Sequence, residues 1–491
     1  MDKIVITGGG VAGLSAGIYA RLNGFDAEIY EMNAQTGGNL CAWDRAGCRV
    51  DNCIHWLTGT NPASSCYGIW RDLGALDEGT EVIQNETLYT CEYGGWSLSL
   101  TNDVERLRRD MLEISPADSR ETERLIRAIK VMQGISGIAG KGANEKISIF
   151  RLAASAPLML RYFRMTSGKL AGKFRHPLIK RFINGLLTEN FGSIALLEVF
   201  SCFTGRNGGI PRGGSEAMAR RMTERYLSLG GKLYTGKRVC RLKRDGGRIT
   251  SVVFSDGEEA RGSFFIVTCD PAAVFGGITD LPMPQRLAKA YSDRRLRRFS
   301  ALHCAFLCDE EKPPFRGDLV VGLDLGSRNE LHSERIVMRE FSHEPDFAPE
   351  GKNVIQTMIF TGENEAKRYV ELKKRPGEYA EAKKKIARIS ENAITSRFPG
   401  LEGRLKVIDV WTPATYNRYT GSEIGSFMSF AFTSRFLPVP IKSKVNGADN
   451  LYLAGQWLQA PGGLPIAART GRGAVAEIMR AKAGKTAAHT E

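Results

Sequence analysis

Residues Met1–Glu31 constrain this chain more than any other stretch. Lys3-Ile-Val-Ile-Thr7 carries the unbroken apolar run of a parallel strand buried on both faces. Gly8-Gly-Gly10-Val-Ala-Gly13 follows at once, and Leu14 to Leu22 reads as a helix. Gly8, Gly10 and Gly13 fit the spacing G-x-G-x-x-G. Such glycines serve a tight turn, close approach of backbone to a pyrophosphate, and close packing of helix on strand. The helix N-terminus then turns free N–H groups and a positive dipole end toward phosphates. A second strand, Asp26 to Tyr30, ends in Glu31, where a carboxylate can accept both hydroxyls of a ribose. Glycine turns are common, so the spacing by itself says little. The strand before it, the helix after it and the acid beyond make it a unit for an adenine dinucleotide.

Gln35-Thr-Gly37-Gly38 narrows the choice, because a glycine pair just past the ribose acid lets backbone pass close to a flavin dinucleotide. Asn39 follows and offers only an uncharged contact there. The first strand starts at Lys3 and is needed for the fold, which argues against a cleaved signal peptide. No run approaches the roughly 18 apolar residues of a membrane-spanning helix. Ten cysteines lack zinc-type spacing and read as reduced, mostly buried thiols of a cytosolic protein, with no metal implied.

With 68 basic and 54 acidic residues the formal charge is +14, which biases the chain toward anionic partners. No nucleic-acid module is present to use it. Arg151 to Thr188 contains no acid, yet carries Arg151, Arg161, Arg164, Lys169, Lys173, Arg175, Lys180 and Arg181. Leu158, Met159, Leu160, Tyr162, Phe163, Phe174, Leu178 and Ile179 lie among them. That mixture suits either a face on anionic lipid at the inner side of the membrane or a solvated basic face over an ordinary core. Arg294-Arg-Leu-Arg-Arg298 either extends the patch or caps a helix.

Further along, Cys48 to Gly59 reads as a short strand entering a glycine turn, with His55 and Trp56 as the first side chains expected to touch flavin or substrate. A hairpin is expected over Glu86 to Leu100 around Gly94-Gly95, then mostly helix, broken at Pro116 and at Gly134 to Gly142. Ile210-Pro-Arg-Gly213-Gly214-Ser215 restarts an α/β pattern, with Ser215 as N-cap of a helix over Glu216 to Leu229. Val239 falls where a strand runs past the adenine. Phe299 to Cys308, Leu319 to Leu323, Arg335 to Phe341 and Asn353 to Phe360 read as an antiparallel sheet. Asp449 to Gly455 is a strand ending in glycine, followed by Pro461-Gly-Gly463-Leu464-Pro465 and a helix over Ile466 to Arg480. This second anion-ready corner is suited to negative charge on a reduced flavin ring.

The layout predicts an α/β protein: a Rossmann-type FAD-binding domain over 1–85, 205–275 and 440–485, interrupted by a substrate domain. The latter takes 86–204 and 276–439, with an antiparallel sheet and a helical, membrane-facing part near 105–204. The expected cofactor set is Gly8, Gly10, Val11, Ala12, Gly13, Glu31, Met32, Gly37, Gly38, Asn39, His55, Val239, Gly455, Gln456, Gly463, Leu464, Pro465 and Ala468.

These motifs, in one order over nearly the full length, resemble the phytoene desaturase-like FAD oxidoreductases: carotenoid desaturases, carotenoid isomerases and retinol saturases. The resemblance implies non-covalent FAD, a lipophilic substrate and frequent peripheral attachment to membranes. Asn39 stands where the family usually has a basic residue, and Gln456 where related amine oxidases often have an acid. No second G-x-G-x-x-G unit supplies a nicotinamide domain, so an external electron acceptor or donor is implied. Cys308 is the last cysteine, so the thiol that tethers flavin in monoamine oxidases is missing. The flavin would carry the hard chemistry on a C–C or C=C bond. Two rivals share the fold: a soluble flavin amine oxidase, with Tyr416 and Tyr419 as candidate cage residues, and a flavin-free lipid carrier like the Rab escort proteins.

Overall fold

The computed structural model describes residues 1–138, 149–187, 189–294, 296–431 and 441–488. Its first layer is a five-stranded parallel sheet in the order Lys232–Tyr234, Asp26–Tyr30, Lys3–Thr7, Phe264–Val267, Leu451–Leu453. Lys3–Thr7 lies at its centre, paired with Asp26–Tyr30 on one side and Phe264–Val267 on the other. Successive side chains of a strand point to opposite faces. Ile4 and Ile6 therefore pack under the helices Val11–Leu22, Gly214–Ser228 and Leu464–Ala488, while Val5 packs under a three-stranded meander over Val239–Arg261. Burial on both faces is why this strand reads as unbroken apolar sequence.

The second layer is a seven-stranded sheet, ordered Leu405–Trp411, Phe299–Cys308, Asn353–Gly362, Arg335–Glu340, Asp318–Gly322, Thr87–Tyr93, Trp96–Thr101. It departs from the expected antiparallel sheet at one seam, where Asp318–Gly322 runs parallel to Thr87–Tyr93. The early hairpin arrives from a distant part of the chain, so no tight turn dictates its direction against its neighbour. One face carries the helices Glu363–Leu372 and Pro376–Arg397 through Ile336, Met338, Ile355 and Ile359. The other face, through Tyr89 and Val337, meets a helical group that includes Ile149–Phe163, Pro177–Ile183 and Ser193–Thr204.

Two local expectations need correction. The helix Ser119–Ile138 passes straight through Gly134, where a break was predicted; 139–142 lie outside the described residues. One glycine in a helix interior costs only about 1 kcal/mol, which tertiary packing easily outweighs. Ser215 is not an N-cap: the helix begins at Gly214, and Ser215 N and Oγ both donate to Asp51, at 2.7 and 2.6 Å. A carboxylate from another segment thus caps this helix. In the basic stretch, several of the apolar residues belong to the core while most of the basic ones reach the surface. Met159, Tyr162, Phe174, Leu178 and Ile179 are core residues, and Arg161 pairs with Glu121 at 2.9 Å. Arg298 is buried between Glu363 and Glu423, 2.6 Å from each. Arg164, Lys169, Lys173, Arg175 and Lys180 remain exposed.

Candidate flavin and substrate site

The glycine loop is tightly built. Gly8 N donates to Tyr30 O at 2.8 Å, and a Cβ on Gly13 would sit 1.9 Å from Gly8 O. Only a bare backbone lets the helix Val11–Leu22 approach the first strand that closely. No side chain caps this helix, so its first N–H groups lack intrahelical partners at the wall of a large cavity. Gly37 N donates to Gly9 O at 2.9 Å, which lays the Gly37-Gly38 backbone beside Gly10. Gly37 and Gly38, with φ of 114° and 62°, hold the left-handed turn that makes this possible.

Glu31 is buried, and its carboxylate organises the loop. Oε2 accepts from Gly9 N at 2.6 Å, while Oε1 accepts from Asn33 N and Nδ2 at 2.8 and 2.7 Å. Met32 and Val239 line the cavity nearby, as do Thr268, Cys269 and Asp270. Asp270 accepts from Ala272 N, Tyr291 Oη and Glu423 N, and burial raises its pKa.

At the opposite corner Gly455, Gln456, Gly463, Leu464 and Pro465 line the same cavity. Gln456 Oε1 accepts from Gly463 N at 3.3 Å, fixing the turn that enters the helix Leu464–Ala488. Ala468 is different. It is fully buried, and its carbonyl accepts from Ser15 Oγ at 2.7 Å, so it joins two helices and leaves the cavity wall. Gly13 likewise packs helix on strand and does not line the cavity.

The residues present fit a bound dinucleotide. Asn39 Nδ2 donates to Phe427 O, which leaves Asn39 Oδ1 buried and without a partner; Asn52 Oδ1 and Ser426 Oγ are equally bare. All three residues line the cavity, and two of these atoms are acceptors awaiting an N–H or O–H. Free helical N–H donors, the Glu31 carboxylate and unmet acceptors around one cavity suit the mixed donors and acceptors of a flavin dinucleotide.

From this cradle the cavity, about 1340 Å³ in all, continues into a chamber walled by Met132, Met159, Phe163, Leu186, Phe191, Val199, Met358 and Phe360. At its junction with the sheet stand two histidines. His55 Nδ1 lies 2.7 Å from Asp318 Oδ2, and Arg339 Nε lies 3.8 Å from Oδ1 of the same carboxylate. A carboxylate only accepts, so Nδ1 carries the proton and Nε2 is left to exchange one. His303 stacks on Trp411 with centroids 4.5 Å apart and shares a 2.9 Å hydrogen bond with Tyr416 Oη. Burial, reinforced by the nearby His55, pushes the His303 imidazole down to about 3.

His55 and Trp56 both line the cavity. Tyr416 is buried with its hydroxyl committed to His303. Tyr419 stands at the ribose end, where its carbonyl accepts from Asn33 Nδ2 at 2.9 Å and its ring stacks on Trp43. Both tyrosines line the cavity, each held by its own partners. Sequence reasoning missed Asp318, His303, Glu198 and Arg469, all of which line the cavity. Only Glu198 left a signal, as the sole charged residue of the helix Ser193–Thr204. Burial pushes the Cys41 thiol up to about 12 and Cys269 to about 11, which favours the protonated thiol over the thiolate. All ten cysteines are unpaired by disulfides, and the described residues hold no metal-ligand cluster.

A parallel dinucleotide sheet whose cradle opens into a walled apolar chamber defines a flavin-dependent oxidoreductase. The chain belongs to the flavin-containing amine oxidoreductase family, which matches residues 11–479. Among curated proteins it is 22% identical over 507 residues to a 4,4'-diapolycopen-4-al dehydrogenase from Metabacillus indicus, covering 97% of both chains. It is also 22% identical to the chloroplastic prolycopene isomerase of Arabidopsis thaliana, over 92% of this chain and 78% of that one. These are relatives of the phytoene desaturase-like kind that the sequence resembles. Among solved structures, a putrescine oxidase double mutant superposes with a TM-score of 0.62 at 14% identity, over 98% of this chain and 99% of that one. That likeness is one of fold.

Proposed function

We propose that the protein binds FAD non-covalently and uses it to oxidise, reduce or isomerise a C–C or C=C bond of a polyene or similar isoprenoid lipid. The observation that carries this is the continuity of the dinucleotide cradle with a chamber walled by methionine, leucine and phenylalanine. Such a wall recognises a long hydrocarbon by area and shape, and Met adapts to its irregularities. The relatives' names point the same way, and the arrangement of Tyr416 and Tyr419 gives no support to an amine cage.

When bound, the flavin supplies hydride or electron transfer. The chain's residues do the rest. The helix N-termini at Val11 and Leu464 would hold the phosphates and the ring's anionic edge, and Glu31 would hold the ribose. The apolar wall excludes water and lays the hydrocarbon against the cradle. His55, oriented by Asp318, would give or take at Nε2 the proton that accompanies hydride transfer when a C–C bond is desaturated or a C=C bond is reduced. His303 stays neutral and fixes the Tyr416 hydroxyl. Without a second dinucleotide unit in the sequence, electrons go to or come from a separate partner.

Arg164, Lys169, Lys173, Arg175 and Lys180 would add attraction to anionic lipid, about 1 kcal/mol for each residue engaged. No helix among the described residues is long and apolar enough to cross a membrane.

The test is anaerobic mixing of the flavin-loaded protein with polyenes, prenyl lipids and amines while the flavin absorbance is followed. Bleaching by a polyene or prenyl lipid is the expected result. Bleaching by amines alone would replace this reading with amine oxidation. Folded protein that takes up no FAD would leave only a lipid carrier.

A further inference from the structure

The seam between the two layers holds a second, much smaller space. Directly opposed residues of an antiparallel pair share a face. The register therefore sets two rows on the cavity side of the seven-stranded sheet: Trp411, His303, Met358 and Val337 in one, Gln356 and Arg339 in the next. Facing them is the segment 51–55, which carries His55. Between sheet and segment lies a space of about 10 Å³, close to the room one water needs, walled by Asn52, His55, His303, Arg339, Gln356 and Trp411 among others. Asn52, His55 and His303 also line the large cavity, so the small space is an alcove of it.

Most polar groups around the alcove are matched. Asp51 accepts from Ser215, Arg339 Nη2 donates to Ile54 O at 2.5 Å, His55 pairs with Asp318 and His303 with Tyr416. Gln356 is the exception: it is only 6% exposed, and its Nε2 is buried with no hydrogen-bond partner among the described residues. The Trp411 indole N–H acts on the Tyr416 hydroxyl but makes no well-aligned hydrogen bond. Asn52 Oδ1 is buried and equally bare.

Buried donors and acceptors without partners are costly, so an occupant that meets them is favoured. It must be one heavy atom in size, accept from Gln356 and donate to Asn52. A metal cation or ammonium accepts nothing, and a halide or carbonyl oxygen donates nothing. A water does both. We propose that one water sits in this alcove and bridges the Gln356 amide to Asn52 Oδ1, with Trp411 as a second donor. Its consequence lies with His55. The sheet already ties that segment at two points, through Arg339 to Ile54 and through Asp318 to His55 itself. The water adds a third tie, at Asn52. Gln356 is thereby a positioning residue that acts through the water on the segment carrying His55. That role rests on His55 as the proton carrier proposed above; the water site itself does not.

The test starts from a crystal structure of the flavin-loaded wild type at a resolution that shows ordered waters. One water within hydrogen-bond distance of both the Gln356 amide and Asn52 Oδ1 is expected. An alcove without solvent density, or a water bound to neither group, overturns the proposal. Gln356→Met is close in size and cannot hydrogen-bond, so it should fold and take up FAD but lose the water. With a lipid that bleaches the flavin, this variant should show a maximal rate roughly 10- to 100-fold lower, because a small misplacement of a reacting group costs that much. The half-saturating lipid concentration should stay at the wild-type value, which separates positioning from damage to the lipid chamber. A wild-type rate in Gln356→Met that has lost the water overturns the positioning role, and so does a lowered rate with the water retained. If no lipid bleaches the flavin, the lipid reading falls, and the density in the alcove still decides the water.

Discussion

Replacing Glu31 by glutamine distinguishes an acid that builds the loop from one that only awaits a ribose. Three donors converge on this carboxylate: Gly9 N at 2.6 Å, Asn33 N at 2.8 Å and Asn33 Nδ2 at 2.7 Å. Glutamine keeps the size and turns one oxygen into a donor. With its nitrogen in the Oε2 position, the Gly9 N–H loses its acceptor; in the Oε1 position, both Asn33 donors do. The smaller loss is one bond to a charged group, about 1.5–3 kcal/mol, and the remaining bonds weaken once the charge is gone. We therefore expect the flavin-free variant to be destabilised by about 2–3 kcal/mol, seen as a lower urea midpoint. FAD affinity should fall by roughly tenfold to a hundredfold from the lost ribose bonds. Both are measured on the same preparations, by urea unfolding of apoprotein and by FAD titration. A wild-type urea midpoint combined with weakened FAD binding would refute the loop-building argument. Unchanged FAD affinity would remove Glu31 from the nucleotide site altogether.

Purified protein should be yellow and release its flavin into the supernatant on acid precipitation; colour retained in the pellet would mean a covalent link. FAD at a hundredfold its dissociation constant should add about 2.7 kcal/mol to stability, read as a raised melting temperature. Gly471→Ala should destabilise by about 1–3 kcal/mol, because its Cβ would lie 2.4 Å from Ala12 O and 2.8 Å from Ser15 Cβ; an unchanged melting temperature contradicts that packing. His303 titrates near 6.5 when unfolded and is pushed down to about 3 in the fold, so the unfolded chain binds its proton first as pH falls. Its contribution is therefore complete above about pH 6.5 and drains toward pH 3, by about 1.4 kcal/mol per pH unit. Melting temperature against pH should be shallower below 6.5 in His303→Gln, and parallel curves would count against a neutral buried imidazole.

What was legible in the sequence is what local chemistry dictates. Ile4, Val5 and Ile6 could only be a strand buried on both faces, and Gly94-Gly95 could only close a hairpin. The glycine loop was legible because a tight strand-to-helix turn needs bare backbone at fixed spacing. Residues whose role depends on a distant partner were not. Asp318 lies 263 residues from the His55 it orients, and Asp51 caps a helix 164 residues away. Ala468 is absent from the cavity wall while its neighbours Ala467 and Arg469 meet it, because its carbonyl faces Ser15 of the adjoining helix. In the basic stretch, composition could not say which apolar residues were available; the fold buries Met159 and Tyr162 and leaves Arg164, Lys169, Lys173, Arg175 and Lys180 at the surface.

The order of strands in the dinucleotide sheet has a consequence for how the protein is made. Lys3–Thr7 emerges first from the ribosome, but Leu451–Leu453 and the helix Leu464–Ala488 that packs on Val11–Leu22 emerge last. At the usual speed of synthesis, about 5–20 residues per second, the early strand and helix wait tens of seconds with an apolar face uncovered. The flavin cannot be bound during that time, because one wall of its site does not yet exist. The seven-stranded layer also draws its early hairpin, Thr87–Thr101, into pairing with a strand over two hundred residues later. Folding of both layers is therefore expected to be largely post-translational, with a demand for chaperones that cover the waiting segments. Ribosome-bound chains truncated before Leu451 should accordingly be protease-sensitive and colourless, however much FAD is supplied.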